Sequence, residues 1–190
     1  MKRYIRAAVK DILDDSDDLR YEVGFDPNTR PAVLEHLATS QDYYTRCAVA
    51  RNPNCPQDLL MKLAKDLNRN VRTDVADNPN TPEEVLRALA KDSDIVVRRY
   101  VSRNPSTPSD VLLGFLDDPE ILYTDLIANP NAPVEVLLDA AKNGTYYIQS
   151  DLTCLPNLPV EVLRCLATYG TRRNITEWAK GQLRELGEDV

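Results

Sequence analysis

The amino-acid sequence predicts an all-α fold, an α-solenoid of about six to seven two-helix repeats of about 26 residues each. Three observations support this prediction. Proline recurs at a nearly constant interval, pairs of apolar residues follow each proline at helical spacing, and a second apolar pattern precedes the next proline. Self-similarity at a fixed period of about 20–50 residues is typical of repeat architectures.

The first proline of each repeat sets the period, with steps of 26, 26, 26, 25 and 26 residues. These prolines are Pro27, Pro53, Pro79, Pro105, Pro130 and Pro156. A second proline follows three residues later in five of the repeats, whereas the first repeat has Pro31 one place late. Each repeat is therefore marked by the pattern Asn-Pro-x-x-Pro or a close variant.

A first helix is predicted directly after this pattern. In the best-preserved repeat, Val85-Leu86 and Leu89-Ala90 are separated by three and four positions, which places them on one face of a helix of about three turns. Thr81 ahead of Pro82 predicts an N-cap followed by proline at the first helical position.

A second, shorter helix is predicted ahead of the next Asn-Pro. Val71 and Val75, like Val97 and Val101, lie four apart, as expected for a helix of two turns or one mixed with 3₁₀ geometry. It must end before the proline, which disfavours helical geometry in the preceding residue. Neither helix buries its apolar side alone, so the repeats must stack and share a core.

The whole chain is predicted to be a single helical-repeat domain, residues 1–190. Residues 1–25 are expected to form a degenerate N-terminal capping repeat, and residues 26–168 the repeats themselves. Residues 169–190 are expected to form a C-terminal capping helix and tail, in which Trp178 and a polar opposite side suit a helix that covers the last repeat.

The repeat resembles the variant leucine-rich repeat, most closely in Arg51-Asn52-Pro53-Asn54-Cys55-Pro56 and in Val85-Leu86-Arg87-Ala88-Leu89-Ala90. It is also similar to HEAT and armadillo-like helical repeats, through Asp66 followed by Val71-Arg72. The resemblance covers roughly residues 26–168 and implies α-helices alternating with short or 3₁₀ helices in a right-handed superhelix. It also implies a protein that holds a partner on one face. Some family members carry an N-terminal iron–sulfur cluster, but no cysteine precedes Cys47 here.

Composition limits the class of protein. The formal charge is -7 at pH 7 and 43% of the residues are hydrophobic, while no apolar run approaches the roughly 20 residues that cross a bilayer. The four cysteines, none in a Cys-x-x-Cys pair, indicate reduced thiols and a cytoplasmic protein. They are Cys47, Cys55, Cys154 and Cys165.

Two conspicuous polar series are interpreted as structural. Arginine occupies one position in successive repeats and is expected to pair with an aspartate across the turn between helices, rather than to bind phosphates. Those arginines are Arg20, Arg46, Arg72 and Arg98, with Asp14, Asp66 and Asp92 as the expected partners. Asparagine precedes the first proline and is expected to form an Asx turn. Those asparagines are Asn52, Asn78, Asn104 and Asn129.

No pattern indicates catalysis. His36 is the only histidine, and there is neither a paired-cysteine metal box nor a glycine-rich phosphate loop. The sequence therefore predicts no catalytic residue, no metal site and no cofactor.

The outward positions of the second helices are the predicted partner-binding surface. They are rich in tyrosine and arginine, which frequently anchor interfaces. The candidates are Tyr44, Arg51, Arg69, Asp74, Arg99, Tyr100, Arg103 and Tyr147. The expected partner is another protein; a mixed solvated surface is the plain alternative, and outward apolar residues at Leu113, Val134 and Leu138 leave self-association open.

A nucleic acid is the second partner class considered, because arginines cluster in the middle of the chain despite its net acidity. That interpretation uses Arg51, Arg69, Arg98, Arg99 and Arg103. Phosphate binding would weaken steeply with salt, with a log-log slope of about -0.9 per neutralised phosphate.

Overall fold

The computed structural model describes residues 17–189, and this part of the chain is helical with no β-strand. The chain divides into two compact units, Met1–Ser106 and Thr107–Val190, called here the N-terminal and C-terminal units. The N-terminal unit contains α1 (Asp17–Phe25), α2 (Pro31–Leu37), α3 (Tyr43–Arg51), α4 (Gln57–Leu63), α5 (Arg69–Asp77), α6 (Glu83–Leu89) and α7 (Ile95–Arg103). The all-α repeat fold is thereby confirmed for the described residues, whereas the handedness of the superhelix stays a prediction.

The C-terminal unit contains α8 (Ser109–Gly114), a 3₁₀ turn (Phe115–Asp117), α9 (Tyr123–Ile127), α10 (Val134–Asn143), α11 (Tyr146–Thr153), α12 (Val160–Tyr169) and α13 (Arg173–Glu185). Most of the predicted capping repeat at residues 1–25 lies outside the described residues, as does the expected pairing of Arg20 with Asp14. No described helix combines the length and the apolar character needed to cross a membrane.

Helix lengths in the N-terminal unit differ from the prediction. The first helices α2, α4 and α6 have seven residues each, and the second helices α3, α5 and α7 have nine. After α4 the chain continues in a tighter turn, since the Lys65 N–H donates to Lys62 O at 3.1 Å and the Asp66 N–H to Leu63 O at 3.0 Å. The apolar pattern of the first helix therefore runs on through a 3₁₀-type turn, and the tighter geometry lies there instead of in the second helix.

The predicted threonine cap is also wrong. Pro82 itself stands at the N-cap of α6, with a ψ of 146°. The Thr81 hydroxyl donates backwards, to the carbonyl oxygen of Val75 at 2.6 Å. That carbonyl lies in the last turn of α5, where carbonyls lack helical partners, so the threonine completes the preceding helix instead of starting the next one.

In the N-terminal unit, the second helices α3, α5 and α7 each begin with a side-chain cap. The Asp42 carboxylate accepts from the Thr45 N–H at 2.8 Å, Asn68 accepts from the Asn70 N–H at 2.8 Å, and Asp94 accepts likewise at the start of α7. Short oxygen-bearing side chains at this place satisfy backbone donors that would otherwise have no partner. Each of these three helices therefore has a fixed first residue, whereas α9 and α11 of the C-terminal unit begin without a side-chain cap.

The predicted apolar stripes form the core. Leucines of the first helices (Leu60, Leu86) and valines of the second helices (Val71, Val75) are fully buried. Within the N-terminal unit, successive second helices pack directly on one another, α1 on α3, α3 on α5 and α5 on α7. The approach of α1 to α3 is close, because a Cβ added at Gly24 would lie 3.0 Å from the Ala48 Cβ.

In the C-terminal unit the most extensive helix packing does not involve successive second helices. It is that of α10 on α12 and of α12 on α13. The core cluster there consists of Ile127, Ala140, Ala141, Leu152, Val162, Leu166, Ile175 and Ala179. Trp178 is half-buried and packs against this cluster, as do Val134 and Leu138. The outward apolar residues of α10 are therefore partly covered by their own unit.

Candidate partner-binding surface

The arginine series is structural, but its register differs from the prediction. Arg72 donates from Nε and Nη2 to the two carboxylate oxygens of Asp92 at 2.7 and 3.0 Å. Its Nη1 donates to the backbone carbonyl of Asp66 at 2.9 Å. The carboxylate partner thus belongs to the next repeat, and Asp66, the expected partner, contributes its carbonyl oxygen instead.

Arg46 repeats this arrangement one repeat earlier, bound in bidentate fashion to Asp66 at 2.6 and 2.9 Å and to the carbonyl of Ser40 at 2.8 Å. Burial alone would raise the pKa of Asp66 and Asp92, but hydrogen bonds from the arginines and from backbone N–H groups hold both pKa values below the ordinary one. Every nitrogen of these guanidinium groups has a protein partner, and four of the five N–H donors of each arginine are bonded inside the fold.

In the C-terminal unit, Tyr123 and Gln149 occupy the position in the repeat that arginine has in the N-terminal unit, and they too join consecutive repeats. The Tyr123 hydroxyl donates to the Asp139 carboxylate. Gln149 is buried, donates to the Ala141 carbonyl at 2.8 Å and accepts from the Thr171 N–H at 2.8 Å. A structural role therefore persists where arginine is replaced.

The asparagine series also does more than the Asx turn predicted for it. The Asn80 N–H donates to Asn78 Oδ1 at 2.9 Å, which is the expected turn. Asn78 Nδ2 in addition donates to the carbonyls of Ala50 and Asn52, at 2.7 and 3.0 Å, in the preceding repeat. Asn52 and Asn104 make the same pair of backward bonds. The buried amides therefore join consecutive repeats, and their 26-residue spacing was the only signal of this in the sequence.

Arg51 lies on α3 and belongs to the predicted surface. Its Nε donates to Asp74 Oδ1 on α5 at 2.7 Å, and 49% of its side chain stays exposed. Nη1 and Nη2 make no hydrogen bond with the described residues. One edge of this guanidinium is thus fixed by a protein carboxylate, and the other edge faces solvent.

Asp74 was predicted to point outward, and this prediction is wrong, because the residue is buried. Burial raises its pKa, against the lowering effect of hydrogen bonds with Cys47 and Arg51. Burial and the neighbouring Asp74 carboxylate in turn raise the pKa of the Cys47 thiol to about 12. Close packing of α3 on α5 covers this position, so Asp74 positions Arg51 and is not available to a partner.

Arg69 and Tyr44 lie at the other end of the second helices. Arg69 Nη1 is 3.1 Å from Asp94 Oδ2, while 59% of the arginine side chain is exposed. Tyr44 is 59% exposed, and its ring lies 4.1 Å from that of Tyr43, centroid to centroid. These two residues stand at the N-terminal ends of α5 and α3, and Arg51 stands at the C-terminal end of α3, about 10 Å from Tyr44 along the helix axis at a rise of roughly 1.5 Å per residue.

The remaining candidates are placed less favourably. Arg99 and Tyr100 are half-buried on α7, and Arg103 is exposed at its end. Tyr147 is 75% exposed, but it belongs to the C-terminal unit, where its ring contacts Tyr146 at 5.5 Å. The N-terminal unit therefore brings together Tyr44, Arg51 and Arg69 on the outer side of α3 and α5, and this trio is called here the second-helix face.

Charge differs between the two units. Residues 1–106 contain 17 basic and 17 acidic side chains, whereas residues 107–190 contain 6 basic and 13 acidic ones. The whole formal charge of -7 therefore arises in the C-terminal unit. Among the described residues no group of histidine, cysteine, aspartate and glutamate is arranged to hold a metal ion.

Two adjacent stretches, residues 69–94 and 95–120, match the family model of the leucine rich repeat variant. They begin at the first residues of α5 and α7. No curated protein and no solved structure matches the chain. The matches confirm the resemblance to variant leucine-rich repeats in these two repeats, and together with the helices of the described residues they show a helical-repeat fold.

Proposed function

We propose that this protein is a non-enzymatic, cytoplasmic scaffold that binds another protein through the second-helix face, with Arg51 and Arg69 receiving acidic groups of the partner. The observation that carries the proposal is the difference between two kinds of arginine. Arg46 and Arg72 are largely covered and have every guanidinium nitrogen bonded inside the fold, whereas Arg51 and Arg69 are each held by one nitrogen and are about half exposed.

Partial anchoring suits an arginine to binding. Holding a side chain in one orientation before association reduces the conformational entropy lost on binding. Because Asp74 engages only Nε, the two Nη groups of Arg51 remain able to donate to a carboxylate with the geometry that guanidinium favours. The exposed ring of Tyr44, which packs on Tyr43, adds an apolar area at the other end of the same helix.

A protein partner fits the charge distribution better than a nucleic acid. Domains that bind nucleic acids usually carry a clear basic excess. The N-terminal unit is balanced in charge, and the C-terminal unit is acidic. Isolated carboxylates of a protein surface match single exposed guanidinium groups more closely than a continuous phosphate backbone does.

The proposal is tested with a double variant of the second-helix face, Tyr44→Ala with Arg69→Ala. Its matched control is Met61→Ala with Lys62→Ala on α4, which also removes one exposed large side chain and one positive charge. Each protein is used to capture its partners from lysate of the native cell, and the recovered proteins are quantified by mass spectrometry.

We expect a specific partner whose recovery falls by about tenfold with the second-helix variant and stays unchanged with the control. Equal recovery with both variants would remove the second-helix face from the proposal. Binding of mixed-sequence RNA or DNA that weakens steeply between low and physiological salt, and is lost in the second-helix variant, would replace the protein partner with a nucleic acid.

A further inference from the structure

A shallow groove of 390 Å³ lies in the C-terminal unit between α10 and α12. Glu135, Leu138, Asp139 and Lys142 line it from α10, and Cys165 lines it from α12. The four α10 residues follow the spacing of one helix side. Leu138 and Cys165 are half-buried neighbours, with the Cys165 Sγ 3.9 Å from the Leu138 carbonyl oxygen, and they form the apolar part of the groove.

One carboxylate of the groove is held in place by the fold. Asp139 accepts from the Tyr123 hydroxyl on one oxygen and from Asn143 Nδ2 on the other, the latter at 2.8 Å. A carboxylate that accepts from two neutral donors is held in one orientation. It can therefore accept a further hydrogen bond without rearrangement.

The second carboxylate is available. Glu135 is exposed and makes neither a hydrogen bond nor an ion pair with the described residues. Lys142 also lines the groove but forms no ion pair with either acid among the described residues, and its Nζ lies over the Tyr169 ring, 5.8 Å from the centroid. The groove thus combines an apolar part with two carboxylates that have no basic partner in this unit.

The surroundings reinforce this charge. The C-terminal unit has 13 acidic and 6 basic residues, so a cation approaching the groove meets an attractive field. The volume lies at the lower end of the range of about 300–1,000 Å³ that is usual for ligand clefts. It suits one or two side chains of an extended segment, not a whole helix.

We propose that this groove binds an extended basic segment of a partner protein in which a lysine or arginine and an apolar residue lie two positions apart, so that both side chains point to the groove. The cation lies against Glu135 and Asp139, and the apolar side chain contacts Leu138 and Cys165. This surface is separate from the second-helix face and has the opposite chemistry, so it is independent of that proposal.

The probe is a fluorescein-labelled eight-residue peptide that repeats Lys-Ser-Leu-Ser, called here the lysine–leucine peptide, in which lysine and leucine share one side of an extended chain. The charge control is the corresponding peptide that repeats Glu-Ser-Leu-Ser. Binding to the full chain is measured by anisotropy at low salt, where exposed charges interact most strongly. The variant is Glu135→Lys, and the matched control is Glu177→Lys, an exposed residue of α13 with the same change of charge. We expect Glu135→Lys to weaken binding by about tenfold and Glu177→Lys by less than about threefold.

A second readout tests whether the peptide lies in the groove, and it leaves the charged residues of the groove unchanged. In a Cys154→Ser background, alkylation reports on Cys165, because Cys47 and Cys55 are buried. We expect the lysine–leucine peptide to slow the alkylation of Cys165 in step with its binding. Three results would each overturn the proposal: no saturable binding up to about 1 mM, an unchanged alkylation rate at saturation, or equal weakening by both charge variants. Protection of Cys165 that rises with protein concentration in the absence of peptide would assign the groove to a second copy of this chain instead.

Discussion

Replacing Asn78 with alanine removes three hydrogen bonds from the junction of two repeats. The Ala50 carbonyl, buried at the end of α3, loses the partner that lies 2.7 Å away. The Asn52 carbonyl loses one of two donors, since the Cys55 N–H still reaches it at 3.0 Å. The Asn80 N–H loses its turn partner.

The cost follows from these three losses. An orphaned buried carbonyl costs about 1–3 kcal/mol, and each of the other two bonds contributes about 0.5–1.5 kcal/mol. We therefore expect Asn78→Ala to lower the free energy of unfolding by about 2–6 kcal/mol. Asn80→Ala is the matched control, because its exposed amide makes a single bond to the Pro53 carbonyl at 2.6 Å and should cost less than about 1 kcal/mol.

Urea unfolding followed by circular dichroism measures both variants, with the midpoint and slope compared to those of the parent chain. A loss below about 0.5 kcal/mol for Asn78→Ala, or equal losses for the two asparagines, would refute the reasoning that the buried amides join the repeats.

Replacing Asn78 with aspartate, which has nearly the same shape, allows the same idea to be tested through the pH dependence of stability. Asn78→Asp keeps the turn acceptor but places a buried carboxylate against two carbonyl oxygens, so the pKa of the new carboxyl rises on folding. A raised folded pKa means that the protonated form is favoured in the folded state, and the penalty therefore grows as pH rises above the ordinary value near 4. We expect N78D to recover stability relative to the parent as pH falls from 7 towards 5, and a constant difference would contradict this. Asp26 occupies the same place in the first repeat without such a penalty because its side chain is exposed and bonds to Asn28.

Three further predictions concern the core, a backbone constraint and acid sensitivity. Leu89→Ala should cost about 2–5 kcal/mol in urea unfolding through lost burial and a cavity, whereas Leu67→Ala, at a fully exposed position, should be neutral; equal effects would refute the core assignment. Gly144→Ala should lower the thermal midpoint markedly, because a Cβ there would lie 2.2 Å from a backbone carbonyl oxygen, while Gly114→Ala, with open space around it, should be neutral or slightly stabilising. The lowered pKa of Asp92 means that its ion pair stabilises the fold above the ordinary carboxyl pKa and is lost as pH falls through the folded pKa, so D92N should lose stability at pH 7 and converge on the parent in acid.

The periodic part of the fold was predictable from the sequence. Burial of Leu86 and Val75 follows from their spacing, because a helix side that recurs every repeat must face the neighbouring repeats. The lengths of the helices were not predictable in this way. An apolar pattern does not distinguish an α-turn from the 3₁₀ turn after Leu63, since both keep the leucine and alanine on the buried side.

The candidate surface was predictable only in part. The outward direction of Tyr44 and Arg51 follows from helix periodicity, but the burial of Asp74 depends on how closely α5 approaches α3. That distance is set by small residues on neighbouring helices, as between Gly24 and Ala48, and a single helix does not reveal it. For the same reason we expected Arg72 to pair with Asp66, the aspartate nearer to it along the chain. Stacking of the repeats instead brings Asp92 of the next repeat to its guanidinium.

The division between structural and partner-binding arginines is the centre of the functional proposal, and two lysine substitutions test it. Lysine keeps the charge but loses the planar fork of donors. Arg72→Lys removes a bidentate pair and a backbone bond, and should cost about 1–3 kcal/mol of stability while leaving partner recovery unchanged. Arg51→Lys keeps an ion pair with Asp74 and loses its exposed Nη donors, so stability should stay within about 0.5 kcal/mol while partner recovery falls.

The most direct measurement is therefore the urea midpoint and the partner recovery of these two variants side by side. The account predicts opposite outcomes, a stability loss for Arg72→Lys and a binding loss for Arg51→Lys. Parallel behaviour of the two variants, or a binding loss with Arg72→Lys and none with Arg51→Lys, would contradict it.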